Sequence, residues 1–154
     1  MAKNSNNLTG VTGEYFVCAE LGKRGILALL TPKNNPLFDV VAVTADALRT
    51  VTIQVKTMSQ GNNQGWKLGV DICTKKNNPL LYTILVNLTG SQIDYYIYEY
   101  DVLSEKVKNL YADYLLKPKR DGGIRKDIAF RWFNLNEFEA DDIQRKNNWD
   151  ILKF

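Results

Sequence analysis

The chain has 154 residues, 45% of them hydrophobic and 24% charged, with a net charge of +3 at pH 7 and no histidine. This length suits one ordinary domain, expected to span residues 1–154 around a sizeable core. The missing histidines exclude Ser-His-Asp and Cys-His hydrolases, histidine-dependent nucleases and His-ligated zinc enzymes, leaving proton transfer to carboxylates, Lys, Tyr or metal-bound water.

Cys18 and Cys73 lie far apart and outside any CxxC spacing, which excludes a zinc ribbon and fits a reducing compartment. The N-terminus, Met1 to Asn7, is polar, and no apolar run approaches the ~18 residues a membrane span needs. A soluble, cytoplasmic protein without membrane contact is the expectation.

In chain order, Thr9 is a candidate N-cap for a helix over 11–24, closed by Gly25. Its stripe is Val11, Glu14, Val17, Cys18 and Leu21, with Glu20 opposite. Strands are predicted over 26–30, 38–44, 49–57, 66–72, 80–88 and 94–100, separated by Asn-rich turns at Asn34-Asn35, Asn62-Asn63 and Asn77-Asn78. A helix over 102–116 with a stripe of Val102, Val107, Leu110 and Leu115 ends before Pro118, and 117–126 reads as a loop. A short strand over 130–135 and a last helix over 137–147 lead to Trp149. This order predicts an α/β or α+β fold with a mixed sheet.

The segment 49–56 alternates cleanly. Val51, Ile53 and Val55 point to one face, and Thr50, Thr52, Gln54 and Lys56 to the other. Gln54 and Lys56 are then neighbours, about 7 Å apart along the strand. A hairpin turning at Ala45 to Ala47 brings Asp39 level with Thr52 to Gln54. Asp39 heads the apolar run Val40-Val41-Ala42-Val43 and needs a partner if buried, either Lys56 or a divalent cation. Glu14 is the second anomaly, a carboxylate on the apolar stripe of its helix. The plainer alternative is a half-solvated hairpin beside a glutamate that reaches water at the edge of its helix.

Gly10-x-x-Gly13-Glu14 on a first helix, Phe38-Asp39, and Ile53-Gln54-Val55-Lys56-Thr57 together resemble the PD-(D/E)XK nuclease superfamily. The ending, with Phe133-Asn134-Leu135 and Asn148-Trp149-Asp150-Ile151-Leu152, is similar to small stand-alone bacterial members, a group that includes an intron-encoded homing endonuclease. The resemblance implies an α/β, restriction-endonuclease-like fold, a central mixed β-sheet flanked by helices. It implies an Mg²⁺-dependent endodeoxyribonuclease of homing, restriction or repair type, acting on double-stranded DNA. Glu14, Asp39, Gln54 and Lys56 take the catalytic positions. One or two Mg²⁺ ions are held by Asp39, the Gln54 side-chain oxygen and the Val55 carbonyl, with Glu14 completing the site.

Two residues depart from the family pattern. Phe38 replaces the Pro, which is not a ligand. Gln54 replaces the acidic residue of (D/E)xK, keeping a ligand oxygen while removing a negative charge. The alternative is therefore a catalytically weak or inactive nuclease-fold module that binds nucleic acid.

The loop 117–126 carries Lys117, Lys119, Arg120, Arg125 and Lys126 against Asp121, a net +4 over a nearly neutral remainder. It is the expected phosphate contact. Lys75, Lys76, Lys106 and Lys108 are weaker candidates, and the amides of 60–64 are candidates for adenine edges. A small domain covers little DNA, so a homo-oligomer, dimer or tetramer, is expected.

Overall fold

The computed structural model describes residues 5–33, 35–61 and 63–154. Residues 1–4, Asn34 and Asn62, which belong to the polar N-terminus and two of the expected turns, lie outside the described residues. Helix α1 (Ser5–Lys23) precedes β1 (Leu27–Leu30), β2 (Val40–Val43) and β3 (Thr50–Met58). Then come β4 (Gly65–Gly69), a 3₁₀ turn (Val70–Cys73), β5 (Leu81–Asn87), β6 (Asp94–Glu99), α2 (Tyr100–Leu116) and β7 (Phe130–Asn134). The chain ends with a short helix α3 (Ala140–Gln144) and a 3₁₀ turn, Trp149–Leu152.

Five strands form one sheet in the order β1-β2-β3-β5-β6, and β4 pairs with β7 separately. β1, β2 and β3 are antiparallel neighbours, while β3 and β5 are parallel, so the sheet is mixed as expected. The parallel pair needs a crossover. That crossover carries β4 and the 3₁₀ turn.

Each sheet face has its own core. Val51, Ile53 and Val55 of β3 join Val40, Ala42, Tyr82, Ile84 and Val86 under Val17 and Leu21 of α1 and Trp149 and Leu152 of the terminal turn. Met58, Leu85, Tyr96 and Tyr98 face the other way, against Trp66 and Leu68 of β4, Phe133 of β7, and Leu103 and Val107 of α2. Trp66 lies within this second core and satisfies its indole by donating Nε1–H to the Val86 carbonyl at 2.9 Å. An unmade bond there would cost about 1–3 kcal/mol.

Several boundaries differ from the sequence reading. Thr9 is inside α1 rather than capping it, because the helix begins at Ser5. The strand expected over 66–72 stops at Gly69, where the chain turns 3₁₀. Tyr100 starts α2 instead of ending β6, and the buried face of α2 is Tyr100, Leu103, Ser104 and Val107. Val102, placed on the expected stripe, is 40% exposed. The last helix shrinks to α3, because Arg145, Lys146 and Asn147 leave it to bond to β6. The Asn147 N–H donates to the Tyr95 carbonyl, and the Ile97 N–H to the Arg145 carbonyl.

Candidate active site

β2 and β3 part company at the residue that matters. Their ladder runs from Val43↔Thr50 to Val40↔Ile53, and the Asp39 N–H still donates to the Ile53 carbonyl at 2.9 Å. Beyond that, β3 continues to Met58 with β5 alone beside it. Asp39 stands in the resulting fork. Its Oδ2 accepts the Val55 N–H at 2.7 Å, in place of the next backbone partner. Successive residues of a strand point their amide groups to opposite neighbours. Thr52 N–H is directed to β5, bonded to the Leu80 carbonyl, so the Val55 carbonyl belongs to the fork side.

Gln54 and Lys56 share one face of β3, and Asp39 lines the same cleft as both. The Gln54 Nε2–H donates to the Leu37 carbonyl at 3.1 Å. The amide nitrogen is thereby committed to a protein acceptor, and Oε1 is the end left for a cation. Lys56 is half-buried and has no ion-pair partner within 4.0 Å among the described residues.

Glu14 approaches from α1, on the opposite side of the sheet, and reaches the fork at its open end. Glu14, Asp39, Val55 and Lys56 line one cavity. Asp39, Gln54 and Lys56 line an adjoining cleft of about 190 Å³. Gly13 makes this approach possible, since any Cβ there would collide with the Thr57 side chain. Burial, and next the Asp39 carboxylate, hold the Glu14 carboxyl above its usual range, while Lys56 partly counteracts them.

Two oxygen-bearing acids that repel one another, an amide oxygen and an edge carbonyl form a donor set suited to a hard divalent cation. A raised carboxylate pKa means that the folded state binds the proton more tightly than the unfolded chain. Stability is then fullest below the ordinary value of 4.5 and declines as pH rises through the raised one. Glu14→Gln is accordingly expected to melt slightly higher than wild type at neutral pH without metal, and to converge with it in acid. A calorimetric pH series checks this, and an unchanged difference across the range would contradict it.

The expected DNA-contact loop is structured. Lys119 N–H donates to the Gly123 carbonyl and Gly122 N–H to the Lys119 carbonyl, both at 2.9 Å, with Gly122 at φ +81°. Lys117, Lys119, Arg120 and Lys126 are exposed. Arg125 is instead tied down. Its Nε donates to the Lys117 carbonyl, its Nη1 to the Tyr114 hydroxyl, and its guanidinium lies 4.3 Å from the Tyr114 ring centre. Of the weaker candidates, Lys75 pairs with Glu105 at 2.7 Å, and Lys106 is committed to Glu139, Asp141 and Asp142. Gln60 donates to the Thr89 carbonyl, which occupies an amide expected to be free for a base.

Lys33 and Lys67 went unmarked in the sequence, yet they line cavities containing Glu14 and Asp39. No local pattern signals either, because the fold alone brings them there.

A second acidic group lies elsewhere. Glu139, Asp141 and Asp142 bring carboxylate oxygens within 4.8 Å of one another, a set that could hold a cation. Lys106 already supplies one, with Nζ at 3.1, 3.1 and 2.6 Å from them.

No family model and no curated protein matches the sequence. Among solved structures, the chain is similar to the bacterial homing endonuclease I-Ssp6803I. The TM-score is 0.58 at 10% identity, over 96% of this chain and 92% of that one. Hjc, a Holliday junction resolvase from the archaeal hyperthermophile Archaeoglobus fulgidus, matches at TM-score 0.47 and 13% identity, over 82% and 84%. The fold is thus α/β and distantly PD-(D/E)XK-like, with the mixed sheet of the restriction-endonuclease-like nucleases. No helix among the described residues is long and apolar enough to cross a membrane.

Proposed function

We propose that this chain is a nuclease-like domain over residues 1–154 that hydrolyses DNA phosphodiester bonds with Mg²⁺, as a homing, restriction or repair-type endonuclease. The observation that carries this reading is the fork, where Asp39 stands between Glu14, Gln54, the Val55 carbonyl and Lys56. Asp39, Gln54 Oε1 and the Val55 carbonyl would hold one or two Mg²⁺ ions, with Glu14 completing the set. A bound cation lowers the pKa of its water and neutralises phosphate charge. Asp39 and Glu14 supply the negative field that retains it. Lys56, without an ion-pair partner among the described residues, orients or deprotonates the attacking water, or as an ammonium stabilises charge gathering on the phosphorus-bound oxygens. None of these roles requires histidine.

Lys117, Lys119, Arg120 and Lys126 grip the phosphates, and Arg125 holds the loop that presents them. Each lost phosphate contact flattens the slope of log K against log salt by roughly 0.9. Alanine at the four exposed positions is expected to lower that slope by about 3 to 4 if all four touch DNA. Filter binding across a salt series measures it, and an unaltered slope removes the loop from the interface.

One such site cuts one strand, so a second copy supplies the other cut. Leu27 and Leu29 of the edge strand β1 are 56% and 51% exposed beside the half-buried Val41 and Val43. That uncovered apolar face is where the second copy docks, and light scattering of Leu27→Asp tests it. Two free cysteines agree with a cytoplasmic setting for this reading.

The deciding assay is nicking of supercoiled plasmid by the purified protein in Mg²⁺ and in EDTA. Gln54, with its missing charge, favours the second reading, a nuclease-fold module that binds without cutting. Steeply salt-dependent binding with the plasmid left intact would select that alternative.

A further inference from the structure

The cleft beside the fork has a far wall that the family motif does not include. On its near side stand Asp39, Gln54 and Lys56; on its far side are Gly69, Asp71 and Ile72, from the β3–β5 crossover. Thr83 lines it too. β5 pairs Thr83 with Gln54, so the two side chains share a sheet face about 5 Å apart.

Three observations meet there. The Thr83 side chain is 0% exposed, and its Oγ1 has no hydrogen-bond partner among the described residues. A buried hydroxyl without a partner carries a desolvation cost unless a water or ion completes it. Asp71 is an exposed carboxylate on the opposite wall. Gly69 makes room for that carboxylate, because a Cβ there would stand 2.5 Å from Asp71 Oδ1. The cleft thus holds an acid, an orphan hydroxyl and the amide Gln54, whose missing charge is the family departure of this chain.

We propose that Asp71 supplies the negative charge that Gln54 lacks, reaching the cation held at Asp39 and Gln54 through a water that also satisfies Thr83 Oγ1. This rests on the metal-site reading above and names residues beyond it. Mg²⁺ and Mn²⁺ keep several waters when few carboxylates bind them directly, so a water-mediated carboxylate suits such a site.

The test uses the full chain without DNA, with Mn²⁺ as the probe and free ion counted by electron paramagnetic resonance. Asp71→Asn keeps the shape and removes the charge. Gly69→Ala keeps the charge and displaces the carboxylate. Thr83→Val removes only the hydroxyl. Asp71→Asn and Gly69→Ala are each expected to weaken Mn²⁺ binding on the order of 10-fold, as outer-sphere losses commonly do, and Thr83→Val by roughly 3-fold.

Metal-free melting temperatures identify any variant that is simply misfolded. Asp71→Asn is the variant least exposed to that objection, since Asp71 meets its main structural partner, the Tyr100 hydroxyl, through its backbone carbonyl. Asp39→Asn separates the two levels of the reading. If it loses Mn²⁺ while Asp71→Asn does not, the role of Asp71 is overturned and the metal site stands. If Asp39→Asn also binds normally, both fall.

Discussion

Lys56→Ala and Asp39→Ala proteins are expected to lose DNA cleavage by a factor on the order of 10³ or more while retaining DNA binding. Removing one well-placed charge stabiliser commonly costs about 10²–10³ in rate, and in the proposed mechanism these two residues serve both the cation and the phosphate. The two substitutions differ structurally. Lys56 makes no ion pair among the described residues, so its removal is expected to leave the fold intact. Asp39 does make one internal bond, accepting the Val55 N–H. Alanine there would leave that amide unpaired, at about 1–3 kcal/mol. Asp39→Asn is the sharper variant, because its side-chain oxygen still accepts the amide while the charge is gone. Plasmid nicking in Mg²⁺, paired with gel shift in EDTA, separates chemistry from binding. Cleavage retained by either purified variant would falsify the mechanism.

Asp142→Ala is expected to cost about 3 kcal/mol or more of stability, because it breaks a buried charge pair from one side. For a chain of this length that corresponds to a fall of roughly 6–12 °C in Tm. The Asp142 side chain is 0% exposed, accepts the Tyr98 hydroxyl at 2.7 Å and the Glu139 N–H at 2.8 Å, and meets Lys106 Nζ at 2.6 Å. Its removal strands a buried tyrosine hydroxyl and a largely buried ammonium together. Glu139 and Asp141 remain near Lys106, but both are exposed and replace little of the buried partner. None of these residues lines the fork, so cleavage per folded molecule at low temperature is expected to be unchanged. Differential scanning calorimetry with a nicking assay at 10–15 °C below wild-type Tm checks both halves. A Tm within about 2 °C of wild type would show that the network contributes little.

The geometry of the candidate site was legible in the sequence to an unusual degree because its core lies on one alternating strand. Val51, Ile53 and Val55 against Gln54 and Lys56 is a period-two pattern that admits one register without turning the core outward. The short turn near Ala45 to Ala47 then set Asp39 opposite. The position of Glu14 followed from the helical stripe, and Val17 and Leu21 are indeed the buried residues beside it. What stayed hidden depends on distant contacts. Lys33, Lys67, Asp71 and Thr83 reach the cavities only once the crossover is folded. Tyr100 has the β propensity of the strand before it, yet its ring is buried with α2, where its hydroxyl donates to the Asp71 carbonyl. Lys106 and Arg125 looked like free surface cations, but their partners are 33 to 36 and 8 to 11 residues away, beyond any local rule.

The parallel pairing of β3 with β5 carries a consequence for the order of assembly. The hairpin of β2 and β3 is local and can form early, bringing Asp39 to Gln54 through a short loop. The β3–β5 ladder closes only after more than twenty intervening residues are organised, and non-local closure of this kind is slow. Those same residues carry Gly69 and Asp71. Half of the cleft therefore belongs to an early hairpin and half to a late crossover. Pulse-labelled hydrogen exchange during refolding should protect the Asp39 and Ile53 amides before that of Thr52, which bonds to Leu80 at the start of β5.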